Sequence, residues 1–320
     1  MNARSQANKV AGHGATRRGA GAPENLAQLT TERQNEAARD LDTRSALEIA
    51  EIMNAEDAKV PQAIARALPQ IAAVIDAIVE ALGRGGRLIY VGAGTSGRIA
   101  ALDASECPPT FGIAPERVQY VMAGGEGALG RAAEFNEDSR QAGEKDIARL
   151  KPGRRDVVVG IAASGRTPYT IAAVEYARRR GAKTTAVVCN PASELGRAAE
   201  IEIVAEVGPE VISGSTRLKA GTAQKLILNM LTTGAMTRLG YVYGNLMINV
   251  SMKNEKLNAR AATVLERAAG VDRPTAEATL EKAGRSVAVA LVMLKAGVSR
   301  REATQRLKKT NGNVRRAAEG

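Results

Sequence analysis

Two short stretches of small and hydroxyl-bearing residues stand where apolar runs end. Gly92-Ala93-Gly94-Thr95-Ser96-Gly97 follows Leu88-Ile89-Tyr90-Val91, and Ala162-Ala163-Ser164-Gly165-Arg166-Thr167-Pro168 follows Asp156–Ile161. A strand that breaks into glycines and then starts a helix outlines an anion site. Glycine lets the backbone come close, and the free first amides and dipole of the helix favour negative charge. Thr95, Ser96, Ser164 and Thr167 add hydroxyl donors, and Gly165 adds a second close backbone approach. The first loop lacks the third glycine of a dinucleotide fingerprint, and no Gly-Lys-Ser/Thr follows to make a Walker loop. Ordinary tight turns are the bland reading; a single phosphate held between two uncharged loops fits the residue types better.

Carboxylates lie near both loops in sequence. Glu106 sits in Asp103-Ala-Ser-Glu106-Cys-Pro-Pro, expected just past the helix that the first loop opens. Glu137 and Asp138 fall on a helix expected over 127–150. Each could equally be a solvated helical carboxylate. The only histidine is His13, in the N-terminal tail, so acid–base work falls to Glu, Asp, Lys, Tyr or Cys, and a pair of glutamates is the economical solution. Arg217 and Lys219, ahead of another helix, are candidates for neutralising a phosphate, against the plain reading of a solvated turn.

Composition narrows the classes. The chain has 320 residues and a net charge of +11, with only 2% aromatics. Residues 1–24 hold four Lys/Arg against one Glu, and residues 298–320 hold seven against two, so the ends carry most of the excess. With so few aromatics to stack on bases, nucleic-acid binding is not expected. Cys107 and Cys189 make neither a disulfide framework nor a metal pattern, which suits a reducing cytoplasm. Asp76 and Glu80 interrupt the best apolar run, so no membrane span is expected, and no apolar segment follows the basic N-terminus to make a secretory signal.

The elements that must position these residues read as follows. Residues 1–24 lack periodicity and are expected to be disordered; 25–80 are an N-terminal helical segment, with one helix expected from Pro61 through Leu82. Strands are expected at Leu88–Val91, Val118–Met122, Asp156–Ile161, Thr184–Cys189 and Ile201–Val207, with helices between them. Five such strands predict an α/β, doubly wound, parallel sheet over 81–244. In the flavodoxin-like order 2-1-3-4-5 the ends of strands one and three form the switch point, and these carry the two loops. A long helix is expected over Thr222–Leu239, a connecting helix in 245–265, and a small helical unit in 266–320. In that unit Val271, Ala276, Leu280, Val287 and Ala290 recur 27 residues later as Val298, Ala303, Leu307, Val314 and Ala317.

Taken together, several long motifs resemble the N-acetylmuramic acid 6-phosphate etherase family. They are Gly92–Gly97, Leu102–Gly112, Gly160–Tyr169, Gly214–Lys225, Leu29-Thr-Thr-Glu32, Met53-Asn-Ala-Glu-Asp57 and Tyr243-Gly-Asn-Leu-Met247, and the likeness runs from about Gln28 to the C-terminus. The resemblance implies a sugar isomerase (SIS) domain, as in phosphosugar isomerases and the glucokinase regulatory protein, with a UBA-like C-terminal unit. It implies a cytoplasmic homodimer, needing no cofactor or metal, that cleaves the D-lactyl ether of N-acetylmuramate 6-phosphate. The family's proton donor matches Glu106, and its second catalytic glutamate matches Glu137 rather than Glu134. This sequence has Glu134-Phe-Asn-Glu137-Asp138 where the family usually has Glu-Gly-Ala-Glu-Asp. Either Glu137 or Glu106 would take the C2 proton, and the other would protonate the departing lactyl oxygen.

Two other classes share the phosphate loops. A sugar-phosphate-binding regulator of this fold often carries a helix-turn-helix, and none is legible before the sheet. An aldose–ketose isomerase would have no reason to keep the Asp103–Gly112 stretch.

Overall fold

The computed structural model describes residues 30–131, 136–249 and 255–320. The tail of residues 1–24 and the Glu134-Phe135 variation lie outside these. A 3-10 turn at Thr30–Glu32 leads to helix α1 (Ala46–Asp57). Ser45 opens α1 with a capping box: its hydroxyl accepts from the Glu48 amide, and the Glu48 carboxylate accepts from the Ser45 amide at 2.8 Å. The single helix expected from Pro61 is two, α2 (Val60–Ala65) and α3 (Leu68–Gly83). Pro69 is the reason, since it lacks an amide and its ring clashes with the preceding turn, so it stands at the start of α3 rather than inside a longer helix.

The alternating part is β1 (Leu88–Gly92), α4 (Gly94–Phe111), β2 (Val118–Met122), α5 (Arg140–Arg149), β3 (Val157–Ile161), α6 (Pro168–Arg179), β4 (Lys183–Val188), α7 (Glu194–Ala198) and β5 (Ile201–Val204). The strands are parallel in the order β2-β1-β3-β4-β5, with Leu88 paired to Val118 on one side and Val157 on the other. The expected doubly wound order is the observed one. Period-two alternation divides two cores across the sheet. Leu88, Tyr90, Val157, Val159 and Ile161 pack with Ile71, Val74 and Ile78 of α3 and with Ile227, Leu228 and Leu231 of helix α8 (Lys219–Leu239). Ile89, Val91 and Val158 face the other way, onto Ile147 of α5 and Tyr169, Ala173 and Ala177 of α6.

Helix α4 is longer than expected. It starts at Gly94, runs through Glu106 and the Pro108-Pro109 pair, and stops at Gly112 in the left-handed region. It is fixed by a buried carboxylate. Asp103 accepts from the Tyr90 hydroxyl of β1 at 2.9 Å, from the Asn229 amide of α8 at 2.8 Å and from the Thr232 hydroxyl at 3.2 Å. Burial pushes the Asp103 carboxyl above its ordinary value although these donors favour its charge. Of the helix expected over 127–150, the described residues form a 3-10 turn at Glu126–Ala128 and an α-helix at Arg140–Arg149, which Ser139 caps by accepting from the Ala142 amide at 3.1 Å.

After α8 a hairpin pairs β6 (Val242–Tyr243) with β7 (Leu246–Met247) around Gly244. Helices α9 (Glu255–Ala269), α10 (Arg273–Lys282), α11 (Val287–Ala296), α12 (Arg300–Lys309) and α13 (Val314–Glu319) build a second core of their own. The repeat is structural: the N-caps Asp272 and Ser286 of α10 and α11 recur 27 residues later as Ser299 and Asn313. The hairpin joins this core, and the Arg315 guanidinium lies 4.7 Å from the centre of the Tyr243 ring. Among the described residues no single helix is long and apolar enough to cross a membrane.

Lys219 has a different place from the one expected of a phosphate ligand. It is 2% exposed, and its ammonium lies 2.5 Å from the carboxylate of Glu56, itself 3% exposed, at the end of α1. Lys59 binds the other oxygen of Glu56. Burial opposes the Glu56 charge, but the donors from Lys219 and Lys59 outweigh it and hold the carboxyl at about 2. Glu210, fully buried, caps α8 by accepting from the Lys219 and Ala220 amides at 3.0 and 2.9 Å. Glu56→Gln should therefore destabilise the fold by about 3–5 kcal/mol in denaturant titrations, because it strands the Lys219 charge. Lys219→Met combined with Glu56→Leu should cost much less. Since the folded value of Glu56 lies below its ordinary 4.5, its contribution is complete above that pH and is lost as pH falls towards 2.

Candidate functional site

A polar cavity of about 490 Å³ opens beyond the carboxyl ends of β1 and β3. Thr95, Ser96, Ser164 and Thr167 line it, so the two hydroxyl loops meet as their sequence positions predict. Glu137 lines it too, along with Arg98, Gly214, Thr216 and Glu32. A larger, mostly apolar cavity of about 670 Å³ lies at the edge strand β2, against Pro108, Tyr120 and Leu150, and holds neither loop. Of these two cavities, the polar one brings the two loops and Glu137 together.

The first loop is shaped by close contact. A side chain on Gly97 would meet Met122 at 2.6 Å, and one on Gly92 would meet the Gly97 amide at 2.9 Å. Strand β1 thus runs directly under the first turn of α4, and the amides of that turn face the cavity without intrahelical partners. The Gly97 amide is the first to be used, on the Ala93 carbonyl at 3.1 Å. Ser96 lies partly under the helix: its hydroxyl, 9% exposed, donates to the Gln224 Oε1 of α8 at 3.0 Å. That bond engages the hydroxyl, while the Ser96 amide stands in the first turn, where amides have no intrahelical partner.

The second loop divides its labour similarly. The Ser164 oxygen accepts from the Arg166 amide at 3.2 Å, which leaves its proton to donate into the cavity. Thr167 stands at the N-cap of α6 without a side-chain capping bond. The Gly165 amide is not free for the anion expected there. It is spent on the Ala162 carbonyl at 3.0 Å, and Gly165 serves the turn: φ is +69°, and a side chain would strike Ser193 at 2.3 Å.

Glu137 precedes α5 in a turn instead of lying on a helix. Its carbonyl accepts from the Tyr169 amide of α6 at 3.0 Å, which pins the turn to the end of β3. Its Oε1 lies where a side chain on Gly94 would come within 2.8 Å, and Gly94 has φ +52°. The carboxylate therefore rests over the first residue of α4. Arg98, one turn on, donates to the Leu129 and Arg131 carbonyls at 3.1 and 3.0 Å and holds the preceding loop.

Glu106 is not in this cavity. It is exposed, on the fourth turn of α4, and ~18 Å along the helix axis from Gly94 at the usual rise. The expected juxtaposition with Glu137 does not occur within one chain. The cause is the helix itself, which continues past Ala104 and carries Glu106 away from the switch point. Three lining side chains had no role in the sequence reading, Glu32, Arg98 and Thr216. Glu32 and Thr216 lie in stretches that carry the family resemblance, but no residue pattern assigns either of them a role. Among the described residues no group of three or more His, Cys, Asp or Glu is placed to hold a metal ion.

Two family models match the chain. The model of the SIS domain matches residues 132–234, and that of the glucokinase regulatory protein N-terminal SIS domain matches residues 70–178. A phosphoheptose isomerase structure from Francisella tularensis is 22% identical, with a TM-score of 0.47, covering 61% of this chain and 100% of that one. The N-acetylmuramic acid 6-phosphate etherase of Klebsiella aerogenes is 50% identical over 292 residues, 91% of this chain and 97% of that protein. The protein of the same name from Edwardsiella ictaluri is 52% identical over 293 residues, 92% and 98% of the two chains. With half its residues shared across nearly its whole length, this chain belongs to the N-acetylmuramic acid 6-phosphate etherase family.

Proposed function

We propose that the protein cleaves the D-lactyl ether of N-acetylmuramate 6-phosphate, giving N-acetylglucosamine 6-phosphate and D-lactate, and that Glu137 is the carboxylate that takes the C2 proton. The observation that carries this reading is the position of the Glu137 carboxylate over Gly94, beside the free amides of α4 and the Ser164 and Thr167 hydroxyls. A phosphate on those donors anchors one end of the sugar, and the carboxylate waits within the same cavity for the other. In the open-chain form the C1 aldehyde makes the C2 proton acidic. Its removal, with breakage of the C3–O bond, releases lactate and leaves an unsaturated aldehyde. Water then adds at C3, and C2 regains a proton. The leaving oxygen needs a proton of its own, which the family resemblance assigns to Glu106. Exposed on α4 and remote from its own cavity, Glu106 serves a cavity of a second copy, in the homodimer that the resemblance implies.

The test is lactate release on N-acetylmuramate 6-phosphate with exchange of the C2 hydrogen in deuterated solvent. Glu137→Gln should abolish exchange and lower kcat by roughly 10²–10⁴. Glu106→Gln should slow lactate release while exchange persists. Mixing the two inactive variants should restore about a quarter of wild-type activity, since random C2 pairing completes one site in half of the dimers. No recovery after subunit exchange would place Glu106 outside the reaction or within its own chain.

Gly94→Ala tests the placement of Glu137 without touching it. The new methyl needs the volume that the carboxylate occupies, at a backbone angle that disfavours any side chain. Turnover should fall by about 10²-fold, as expected for a displaced reacting group. An unchanged kcat with an intact melting transition would show that the carboxylate has room elsewhere.

A further inference from the structure

The cavity holds a second carboxylate of the same chain, and nothing in the proposed reaction uses it. Glu32 comes from the 3-10 turn at the start of the described chain, far in sequence from every other lining residue. It is partly buried, and among the described residues no hydrogen bond or ion pair engages its carboxylate. Its backbone, by contrast, is fastened on all sides. The Thr30 amide donates to Asn190 Oδ1 at 3.0 Å, and Asn190 Nδ2 in turn donates to the Thr31 hydroxyl at 3.3 Å and the Ala163 carbonyl at 3.2 Å. The Gly214 amide donates to the Thr31 carbonyl at 3.2 Å, and the Ser213 hydroxyl donates to the Glu32 carbonyl at 2.9 Å. Asn35 donates to the Pro209 carbonyl at 3.0 Å. These bonds tie the strap to the second hydroxyl loop and to the loop before α8.

The space for the side chain is also made by design of the backbone. Gly214 has φ +76°, and a side chain there would lie 3.1 Å from Glu32 Oε2. Both glutamate carboxylates of the cavity therefore rest against a glycine in the left-handed region, Glu137 on Gly94 and Glu32 on Gly214. A pinned strap, a reserved volume and an unengaged carboxylate facing a polar cavity are what a ligand-binding acceptor requires.

We infer that Glu32 is a specificity-determining residue that accepts hydrogen bonds from the hydroxyl or amide N–H groups of the sugar, and so turns C2 towards Glu137. This rests on the proposed phosphosugar substrate and deepens it. Charge decides which part of the ligand Glu32 meets. The phosphate and the lactyl carboxylate are both anionic, and like charge opposes their approach to a carboxylate. The uncharged, donor-bearing carbons between them are what remains. The phosphate goes to the α4 amides and the Ser164 and Thr167 hydroxyls, and the sugar spans from there to Glu32.

The experiment measures binding by calorimetry, on the full chain, of N-acetylglucosamine 6-phosphate and of inorganic phosphate, for wild type, Glu32→Gln and Glu32→Ala. The sugar phosphate should weaken by roughly 10- to 100-fold in both variants, the range for a hydrogen bond to a charged group. Inorganic phosphate, which fills only the loops, should bind the variants as it binds wild type. Equal weakening of both ligands would show that Glu32 merely supports the loops, and unchanged binding of both would show that it meets no ligand; either result overturns the inference. Unchanged melting transitions in both variants separate these results from misfolding. Wild type that binds phosphate but not the sugar phosphate would overturn the phosphosugar reading itself, and the inference with it.

Discussion

The contact between the end of β1 and the first turn of α4 is what the site depends on. Glycine at 92 and 97 lets two backbones approach to a distance that any side chain would prevent, because Met122 and the Gly97 amide already occupy the space. That approach turns the unpaired amides of α4 towards the switch point between β1 and β3. It also brings Gly94 under the Glu137 carboxylate. A helix displaced by the width of one methyl group would aim its dipole elsewhere and leave the Glu137 carboxylate without its seat. Asp103 supports the arrangement from below, since it is bonded to β1 through Tyr90 and to α8 through Asn229 and Thr232. The buried carboxylate thus fixes both the strand and the helix that meet at the glycine contact.

The second constraint is electrostatic. Helix α8 begins within the protein, and its first amides would be orphaned there without Glu210, whose two oxygens accept from Lys219 and Ala220. A buried carboxylate at that point needs a cation, and Lys219 supplies charge to Glu56 and, more weakly, to Glu210. Burial still drives the Glu210 carboxyl up. The Lys219–Glu56 pair joins α1 to α8, and the loop from Pro209 to Thr216 then leads from this junction to the cavity. The strap bearing Glu32 is fastened to that loop. A charge that looked like a phosphate ligand in the sequence is instead the anchor of the frame that carries part of the site.

The sheet was legible because its information is local and periodic. Short β-branched runs bounded by glycine identify strands, and the parallel connection rules leave few orders for five of them. The two hydroxyl loops followed from the same reading. The differences between sequence and structure have a common origin in side-chain identity read without geometry. Helix α4 runs on through Glu106, which the sequence places just past its end, and so carries Glu106 ~18 Å from Gly94. The Ser96 hydroxyl, read from sequence as a donor to the ligand, lies on the inner side of the first turn and is bonded to Gln224. The break between α2 and α3 was missed although Pro69 marks it, because the apolar spacing continues across it.

Glu32 was beyond reach for a deeper reason. Its neighbours in the sequence show no strand or helix pattern, and its position is set by Asn190, Ser213 and Gly214, residues more than 150 positions away. Nothing local distinguishes such a carboxylate from a solvated one. What distinguishes it is the mismatch between a backbone held at every side and a carboxylate held by nothing among the described residues. Folding has spent conformational entropy on ordering the strap without using the charged group the strap carries. The same contrast separates Glu56, Asp103 and Glu210, whose oxygens are engaged and whose roles end inside the fold, from Glu32, whose oxygens face the cavity. The loops that meet at the cavity offer uncharged donors and Glu32 brings an acidic side chain into the same space, so the two ends of any ligand there would meet different chemistry.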